Sequence, residues 1–272
     1  MKFGKIKAHF GVEVLVQDRL GAVSRVKIGR KSGHVVGDEV QIMDGRLTRL
    51  ERHNELIRKT QFGDQVLASN LDYVGIVVSI MPKTPVYFVD QVIIACRAQQ
   101  IEPFIIVTKL DLPGSEEFAQ SLRQDYSGSV QIVIGLQQLQ AFLNQKARFI
   151  FVGVSGAGKS TLMNQLIPDA GQATGDLSEH GNTGRHTTSG SVLFDLPSGG
   201  ELIDSPGVRD FAPVDLSPEQ IAHYFPGFEK LAETPCKFRD CKHLQEPGCL
   251  VREQADPRRY AQYLSIRASI QV

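Results

Sequence analysis

The sequence feature that most constrains this chain is the segment 149–161, which reads Phe-Ile-Phe-Val-Gly-Val-Ser-Gly-Ala-Gly-Lys-Ser-Thr. Its first four residues form an unbroken apolar run, which predicts a buried strand. Apolar residues resume at helical spacing after residue 161, so a helix should begin near that point. Between strand and helix the sequence matches G-x-x-x-x-G-K-[ST], with its fixed positions at Gly153, Gly158, Lys159 and Ser160.

This pattern predicts a binding site for a nucleoside triphosphate. Glycines let backbone N–H groups turn towards phosphate oxygens, and the helix N-terminus adds unpaired donors and a favourable dipole. Lys159 is placed to reach the β- and γ-phosphates and to act in catalysis, and Ser160 to bind Mg²⁺. The alternative is a chance glycine-rich turn. The predicted nucleotide contacts are Gly153, Val154, Ser155, Gly156, Ala157, Gly158, Lys159, Ser160 and Thr161.

A second motif indicates guanine as the base. Thr108, Lys109, Leu110 and Asp111 follow an apolar run and match the [NT]-K-x-D loop of GTPases. The Asp111 carboxylate can accept hydrogen bonds from guanine N1–H and from the N2 amino group, whereas adenine would leave it buried and unpaired. Lys109 can lie flat against the purine. Alone, this short pattern is more typical of a surface turn, but beside a phosphate loop it predicts a guanine nucleotide.

A third motif, D-x-x-G, occupies residues 204–207 after a short apolar run. Asp204 would bind Mg²⁺ through a water, and the Gly207 N–H would contact the γ-phosphate, so both are predicted to act in catalysis. An ordinary Asp-Ser-Pro-Gly turn is the alternative.

The segment 171–190 contains five glycines and few apolar residues, which predicts a mobile switch. It includes Gly-Arg-His-Thr-Thr at 184–188. A Thr hydroxyl here would ligate Mg²⁺ when the γ-phosphate is present and release it after hydrolysis. The sequence does not decide between Thr187 and Thr188, and a disordered linker is the alternative.

Apolar runs alternate with helical segments from residue 70 onward, which predicts an α/β domain with a parallel sheet and crossover helices. GTPases normally place the phosphate loop first and the guanine loop last, whereas here the guanine loop precedes the phosphate loop. The sequence therefore predicts a circularly permuted P-loop GTPase domain at 69–226.

Residues 1–68 contain short alternating segments at 10–17, 22–28 and 38–43 and predict a small β-barrel. A basic stretch fits a nucleic-acid-binding face, although charge alone favours a solvated surface because acidic residues are interleaved. That stretch contains Arg46, Arg49, Arg52, Arg58 and Lys59.

Three of the four cysteines lie within residues 236–249, together with a histidine. Cys236, Cys241, His243 and Cys249 suit a tetrahedral structural zinc site, with free buried thiols as the alternative. The residues 227–272 are therefore predicted to form a zinc-binding module. A basic tail makes this module a plausible RNA contact. Its basic residues are Arg252, Arg258, Arg259 and Arg267.

The 272 residues carry 30 Lys+Arg and 30 Asp+Glu, so net charge identifies no partner. No apolar stretch approaches the length of a membrane span, and the first residues have no signal-peptide core. These features predict a cytoplasmic protein that is not associated with a membrane.

In their order, these motifs resemble the RsgA/YjeQ family of circularly permuted GTPases, over essentially the whole chain. The resemblance implies an α/β protein with an N-terminal OB-like β-barrel, a central permuted P-loop GTPase domain and a C-terminal zinc-binding module. It implies GTP/GDP, Mg²⁺ and one structural Zn²⁺ as ligands. It also implies a GTPase that binds the 30S ribosomal subunit through 16S rRNA, assists its late maturation and is stimulated by it. A monomer is expected.

The chain departs from the family pattern at Thr108, where Asn is usual, and at Gly135–Leu136, where related GTPases have Ser-Ala behind the base. Both departures lower the expected guanine affinity. The missing basic N-terminal extension lowers the expected ribosome affinity. Val208 stands where many GTPases have a Gln, so another residue must orient the attacking water. His186 is hypothesised to orient or deprotonate that water; the alternative is that it contacts only rRNA or solvent.

Two other functions stay open. A P-loop ATPase or kinase would prefer adenine, which Asp111 opposes. A GTP-dependent RNA-binding switch with little intrinsic hydrolysis is favoured by Val208 at the usual Gln position.

Overall fold

The structure is a computed structural model. It describes residues 2–60, 63–168, 190–205, 216–229, 234, 236–239 and 241–270. The predicted switch residues His186, Thr187 and Thr188, together with Gly207 and Val208, lie outside these ranges. Within the described ranges, no helix has both the length and the apolar character needed to cross a bilayer.

The amino-terminal region is built from short antiparallel strands. In the described residues these are β1 (Lys2–His9), β2 (Glu13–Asp18), β3 (Val23–Lys27), β4 (Glu39–Met43), β5 (Arg46–Arg49), β6 (Glu55–Thr60) and β7 (Gly63–Ser69). β1 pairs with both β2 and β4, which continue to β3 and β5, while β6 and β7 form a hairpin. Alternate residues of β1 point inward, and Ile6 packs against Val14, Val16 and Val40. These strands agree with the expected OB-like fold.

The segment 10–17 is a strand only in its second half. Residues 10–12 form the turn between β1 and β2, in which Gly11 has φ +83° and the Val12 N–H bonds the Phe10 oxygen at 3.1 Å. Val12 is consequently 46% exposed instead of facing the core. The alternation of apolar residues did not reveal this turn, because glycine reversed the chain inside the apparent period.

The central region is the predicted α/β domain. Its strands are β8 (Tyr73–Val78), β9 (Glu102–Val107), β10 (Gln131–Ile134), β11 (Arg148–Val152), β12 (Ser191–Asp195) and β13 (Glu201–Asp204). Its helices are α1 (Val86–Ala98), α2 (Ser115–Tyr126), α3 (Gly135–Phe142) and α4 (Lys159–Leu166). The order is β10-β9-β8-β11-β13-β12, with every pair parallel except β12 with β13. Because parallel strands point the same way, the loops after β9, β11 and β13 share one edge.

Close packing in the middle of this sheet requires a glycine. A Cβ at Gly75 of β8 would lie 2.8 Å from both Phe104 and Phe151 ring atoms. Beside it, Phe104 and Phe149 belong to a cluster of aromatic rings, packed edge-on and stacked, with Tyr73 and Phe142. These rings hold the strands that carry the loops described below.

β12 joins the amino-terminal strands β1–β5 and the central strands into one continuous sheet. β12 pairs antiparallel with β13 on one side and with β1 on the other, where Ala8 faces Val192. The sequence did not predict β12. At its other end the junction is fastened by Glu201, which accepts hydrogen bonds from Lys5 and from Arg148 (2.7 Å).

The carboxyl-terminal region contributes three helices within its described residues: α5 (Pro218–Tyr224), α6 (Leu250–Gln254) and α7 (Pro257–Ile270). α5 begins with a capping box between Ser217 and Gln220. A separate apolar cluster packs these helices against α1. It includes Ile94 of α1, Phe225 and Tyr263.

A buried ion pair fixes α7 to α1. Asp90 of α1 is fully buried and receives two hydrogen bonds from Arg259 of α7, at 2.7 and 3.1 Å, and one from the Tyr126 hydroxyl at 2.8 Å. The Arg259 guanidinium also lies over the rings of Tyr126 and Phe225. Burial raises the pKa of Asp90, and the Arg259 charge opposes that effect.

Candidate nucleotide-binding and metal sites

The predicted phosphate loop connects the buried strand β11 to helix α4. Gly153 has φ +156°, and a Cβ there would lie 2.5 Å from the Val77 oxygen, so only glycine fits against β8. Gly158 has φ +105° immediately before α4. The intervening Val154 and Ala157 pack into the apolar cluster that contains Phe104 and Phe149, whereas Ser155 and Gly156 are exposed. The backbone thus forms an open cradle ahead of a helix N-terminus.

Lys159, Ser160 and Thr161 make up the first turn of α4. The Lys159 ammonium donates hydrogen bonds to the oxygens of Gly153 (2.5 Å) and Val154 (3.0 Å), so the side chain folds back over the cradle. Ser160 and Thr161 are exposed. The first turn of α4 therefore carries a cation and two exposed hydroxyl-bearing residues at the positive end of the helix dipole.

The predicted guanine loop follows β9 directly. Thr108 is 8% exposed, and its hydroxyl lies 2.6 Å from the Ala157 oxygen and 3.0 Å from the Val78 oxygen. Because Ala157 belongs to the phosphate loop, this contact joins the two predicted loops directly. The structure thus brings together two segments that are 49 residues apart in the sequence.

The other three residues of this loop point outward. Lys109 adopts φ +55°, and its ammonium donates to the Met81 oxygen at 2.7 Å. Leu110 is 44% exposed, and Asp111 is exposed. β10 ends at Ile134 and α3 begins at Gly135, so no connecting loop stands between them at the position of the departure noted above.

Asp204 is the last residue of β13, the neighbour of β11. Desolvation raises the pKa of Asp204, and the nearby Lys159 charge opposes that rise. Because β13 pairs in parallel with β11, Asp204 ends its strand at the same edge of the sheet as the phosphate loop that follows β11. Ser205 follows, with its hydroxyl 2.9 Å from that of Ser191 on β12.

The predicted metal ligands converge in the carboxyl-terminal region. The ligand atoms of Cys236, Cys241, His243 and Cys249 all lie within 4.8 Å of one another. His243 Nδ1 is 3.6, 3.7 and 3.6 Å from the sulfurs of Cys236, Cys241 and Cys249. A tetrahedral zinc ion, with Zn–S of about 2.3 Å and Zn–N of about 2.0–2.1 Å, separates sulfur from nitrogen by about 3.6 Å. The donor set and its spacing therefore fit zinc.

Glu246 organises the loop that carries these ligands, a role that the sequence motifs did not predict. Its carboxylate accepts hydrogen bonds from the N–H groups of Lys242 (3.0 Å), Leu244 (2.9 Å) and Gln245 (3.1 Å). These backbone donors lower the pKa of Glu246 to about 2. An acidic residue inside a cysteine-rich turn was the available signal, because such turns leave several N–H groups unpaired.

The metal loop is also tied to its helices. The Cys249 sulfur caps α6 by accepting from the Arg252 N–H at 3.5 Å. From α7, the Tyr260 hydroxyl bonds the His243 oxygen at 2.9 Å, and Arg267 bonds the Lys242 oxygen at 2.5 Å.

Several arginines assigned to basic surfaces are internal. Arg52 is held by Asp38 at 2.6 and 2.8 Å and by Glu55 at 2.8 Å. Arg259 and Arg267 are 6% and 5% exposed. These three side chains are therefore excluded from any nucleic-acid face, because buried carboxylates and carbonyls need them.

Comparisons with known proteins agree with this architecture. A family model described as RsgA GTPase matches residues 49–213. The small ribosomal subunit biogenesis GTPase RsgA of Haemophilus influenzae strain PittGG is 34% identical, over 96% of this chain and 82% of the relative. The protein of the same name from Actinobacillus pleuropneumoniae serotype 5b is 35% identical, over 89% of this chain and 76% of the relative.

Two solved structures share the fold. The crystal structure of YjeQ from Thermotoga maritima aligns with a TM-score of 0.78 and 26% identity, covering 99% of this chain and 98% of that one. YloQ, described as a circularly permuted GTPase, aligns with a TM-score of 0.72 and 25% identity, covering 99% and 94%. Together with the family model, these matches show that the chain belongs to the RsgA GTPase family.

Proposed function

We propose that this chain is a GTP hydrolase that acts in the biogenesis of the small ribosomal subunit. The observation that supports the proposal is the direct contact between Thr108 and Ala157, because it joins the segment 108–111, which matches a guanine-binding motif, to the segment 153–160, which matches a phosphate-binding motif. Asp204 ends the strand next to that phosphate loop. The names of the relatives support the ribosomal step, since both are called small ribosomal subunit biogenesis GTPases.

In this proposal the chain binds and orients GTP through three groups. The N–H groups of residues 153–158 and of the first turn of α4 surround the phosphates, and Lys159 neutralises the charge that builds up on the γ-phosphoryl group. The Asp111 carboxylate accepts from guanine N1–H and N2, and Thr108, Lys109 and Leu110 hold it in place.

Mg²⁺ fits the donor set at the edge of the sheet. The Ser160 hydroxyl and the Asp204 carboxylate are hard oxygen ligands, which this ion prefers. When bound, Mg²⁺ supplies positive charge next to the phosphates. We keep Thr187 as a further ligand, with Thr188 as its alternative, and Gly207 as a γ-phosphate donor.

His186 is our candidate for orienting the attacking water. A His186→Ala variant with unchanged ribosome-stimulated turnover and unchanged GTP affinity would exclude that role. A neutral imidazole both accepts and donates, so it can act near neutral pH.

We further propose a modular division at residues 1–68, 69–226 and 227–272. The amino-terminal strands and the zinc-binding module would contact 16S rRNA of the 30S subunit in the cytoplasm, and the chain would act as a monomer. The exposed Arg46 and Arg49 support an RNA contact on the amino-terminal region, because phosphate binding needs accessible cations.

The test is GTP turnover by the purified zinc-loaded chain with 30S subunits, with 70S ribosomes and with neither, at low and physiological salt. We expect strong stimulation by 30S subunits alone, which weakens as salt rises. A Lys159→Ala chain is the matched control for contaminating GTPases. Bound GTP without stimulation at either salt concentration would contradict the ribosomal part of the proposal.

The second candidate is a GTP-dependent RNA-binding switch with little hydrolysis, which Val208 favours because a hydrophobic side chain cannot position water. Single-turnover hydrolysis on the 30S subunit separates the two functions. A rate equal to that of the Lys159→Ala control would favour the switch.

A further inference from the structure

The Thr108 hydroxyl has one proton and two neighbouring carbonyl oxygens. It lies 2.6 Å from the Ala157 oxygen and 3.0 Å from the Val78 oxygen. The Val78 oxygen already accepts the Thr108 backbone N–H at 3.0 Å. The Ala157 oxygen is the nearer of the two, and the Val78 oxygen already accepts another hydrogen bond. For both reasons the hydroxyl proton is donated to the Ala157 oxygen.

The surroundings restrict the orientation of this side chain. Thr108 is 8% exposed, and a Cβ built on Gly158 would lie only 3.3 Å from its hydroxyl oxygen. The side chain is therefore wedged between the end of β8 and the phosphate loop. Rotating the hydroxyl towards a ligand would leave a carbonyl of the buried Ala157 without this donor, which is costly.

Guanine offers two different sets of groups for recognition. N1–H and the N2 amino group are donors, and N7 and O6 are acceptors. The Asp111 carboxylate is exposed and takes no hydrogen bond from the described residues, so it is available for the two donors. The Lys109 ammonium is engaged with the Met81 oxygen. Thr108 has no second proton to give to an acceptor on the base.

From these contacts we infer that Thr108 is a positioning residue, which ties the phosphate loop to the guanine loop and gives no hydrogen bond to guanine N7. The inference rests on the proposed binding of guanine nucleotides. It explains what the Thr-for-Asn difference does chemically. An amide carries two N–H donors and can bond a carbonyl and N7 at once, whereas a hydroxyl must choose one. In this chain the carbonyl takes the single proton.

The test compares GDP with 7-deaza-GDP, in which a C–H replaces N7, by equilibrium binding to the zinc-loaded full chain. We expect dissociation constants within about twofold of each other, because no net hydrogen bond is lost. Thr108→Asn adds the second donor and should bind GDP about 2- to 10-fold more tightly than 7-deaza-GDP.

Two further variants separate positioning from base reading. Thr108→Val removes the proton and should weaken GDP and 7-deaza-GDP by the same factor, about 3- to 10-fold, while Thr108→Ser restores both. The preference of the Val variant for GDP over IDP, which lacks the N2 amino group, should equal that of the parent. Asp111→Asn is the matched control and should lose that preference.

A parent chain that prefers GDP over 7-deaza-GDP by tenfold or more would overturn the inference and leave the proposed function standing. So would a Thr108→Val chain with unchanged affinity for both nucleotides. A parent chain that binds no guanine nucleotide would overturn the proposed function, and the inference with it.

Discussion

Replacing Arg259 with Met should destabilise the folded chain by about 3–4 kcal/mol, because it leaves a buried carboxylate without its cation. Asp90 is fully buried, and Arg259 supplies two of its three hydrogen bonds. Met is an unbranched side chain of similar length that can fill the space between the Tyr126 and Phe225 rings, over which the Arg259 guanidinium lies, so the loss is mainly electrostatic. The third hydrogen bond, from the Tyr126 hydroxyl, remains.

The free energy of unfolding that Arg259→Met removes has an upper limit. Without Arg259, Asp90 can escape the penalty by taking up a proton. At pH 7 this costs about 4 kcal/mol, since an unperturbed Asp has a pKa of about 3.9 and each unit is worth about 1.36 kcal/mol. Burial already raises the pKa of Asp90, and the variant loses the charge that opposes this. The cost should therefore lie close to this upper limit.

The pH dependence follows from the same reasoning. In the variant, folded Asp90 holds a proton that unfolded Asp90 does not, so stability rises as pH falls. Lowering the pH from 7 to 5 should reduce the stability difference between the variant and the parent by about 2–3 kcal/mol.

The assay is urea unfolding of the zinc-loaded chain at pH 7 and pH 5. Arg258→Met is the matched control, because the adjacent Arg258 side chain is 64% exposed and only 3.5 Å from Asp125. That surface pair should be worth less than about 1 kcal/mol. A loss below about 1 kcal/mol for Arg259→Met at pH 7, or a loss independent of pH, would refute the reasoning.

Three further predictions concern other parts of the chain. Lys159→Ala should lower single-turnover GTP hydrolysis by orders of magnitude, measured against GDP binding as a control for folding. Cys249→Ser should lower the zinc content from one per chain, and chelation should lower the thermal midpoint of the parent far more than that of the variant. Burial acts to raise the pKa of Glu201, but the charges and hydrogen bonds of Arg148 and Lys5 outweigh burial and lower that pKa overall. The ionised Glu201 therefore contributes about 1–3 kcal/mol to the free energy of unfolding above about pH 4.3, and this contribution is lost as the pH falls. The Glu201→Gln chain should therefore have a lower free energy of unfolding than the parent at pH 7. Between pH 7 and pH 3 it should lose less of that free energy than the parent does, as measured by urea unfolding across this range.

The parts of the candidate site that the sequence could predict are local. A phosphate loop is a contiguous stretch in which the backbone conformation itself calls for glycine, as the φ of +105° at Gly158 illustrates. The four metal ligands likewise fall within fourteen residues of sequence, and spacing alone brings them together. The α/β class was predictable because strand and helix periods differ and alternate along the chain.

What sequence did not predict depends on distant partners. Charge counting assigned Arg52 and Arg259 to surfaces, yet each is drawn inward by a carboxylate many positions away. β12 was not predicted, and its pairing with β1 joins strands more than 180 residues apart. The role of Thr108 was invisible for the same reason, since it depends on an oxygen contributed by another loop.

The guanine loop and the carboxyl-terminal region are both held by residues in or just before helix α1, although they are far apart in sequence. The Met81 oxygen, just ahead of α1, holds Lys109 of the guanine loop, and Asp90 within α1 holds Arg259 of the carboxyl-terminal region. The contacts that position the nucleotide loops, Lys109 with Met81 and Thr108 with Ala157, involve no residue beyond 205. The metal loop, in contrast, is fastened to α7, which depends on the buried pair with α1. Breaking that pair should therefore loosen the zinc-binding module before it disturbs the nucleotide site, because close-packed contacts transmit strain first to the elements that share them.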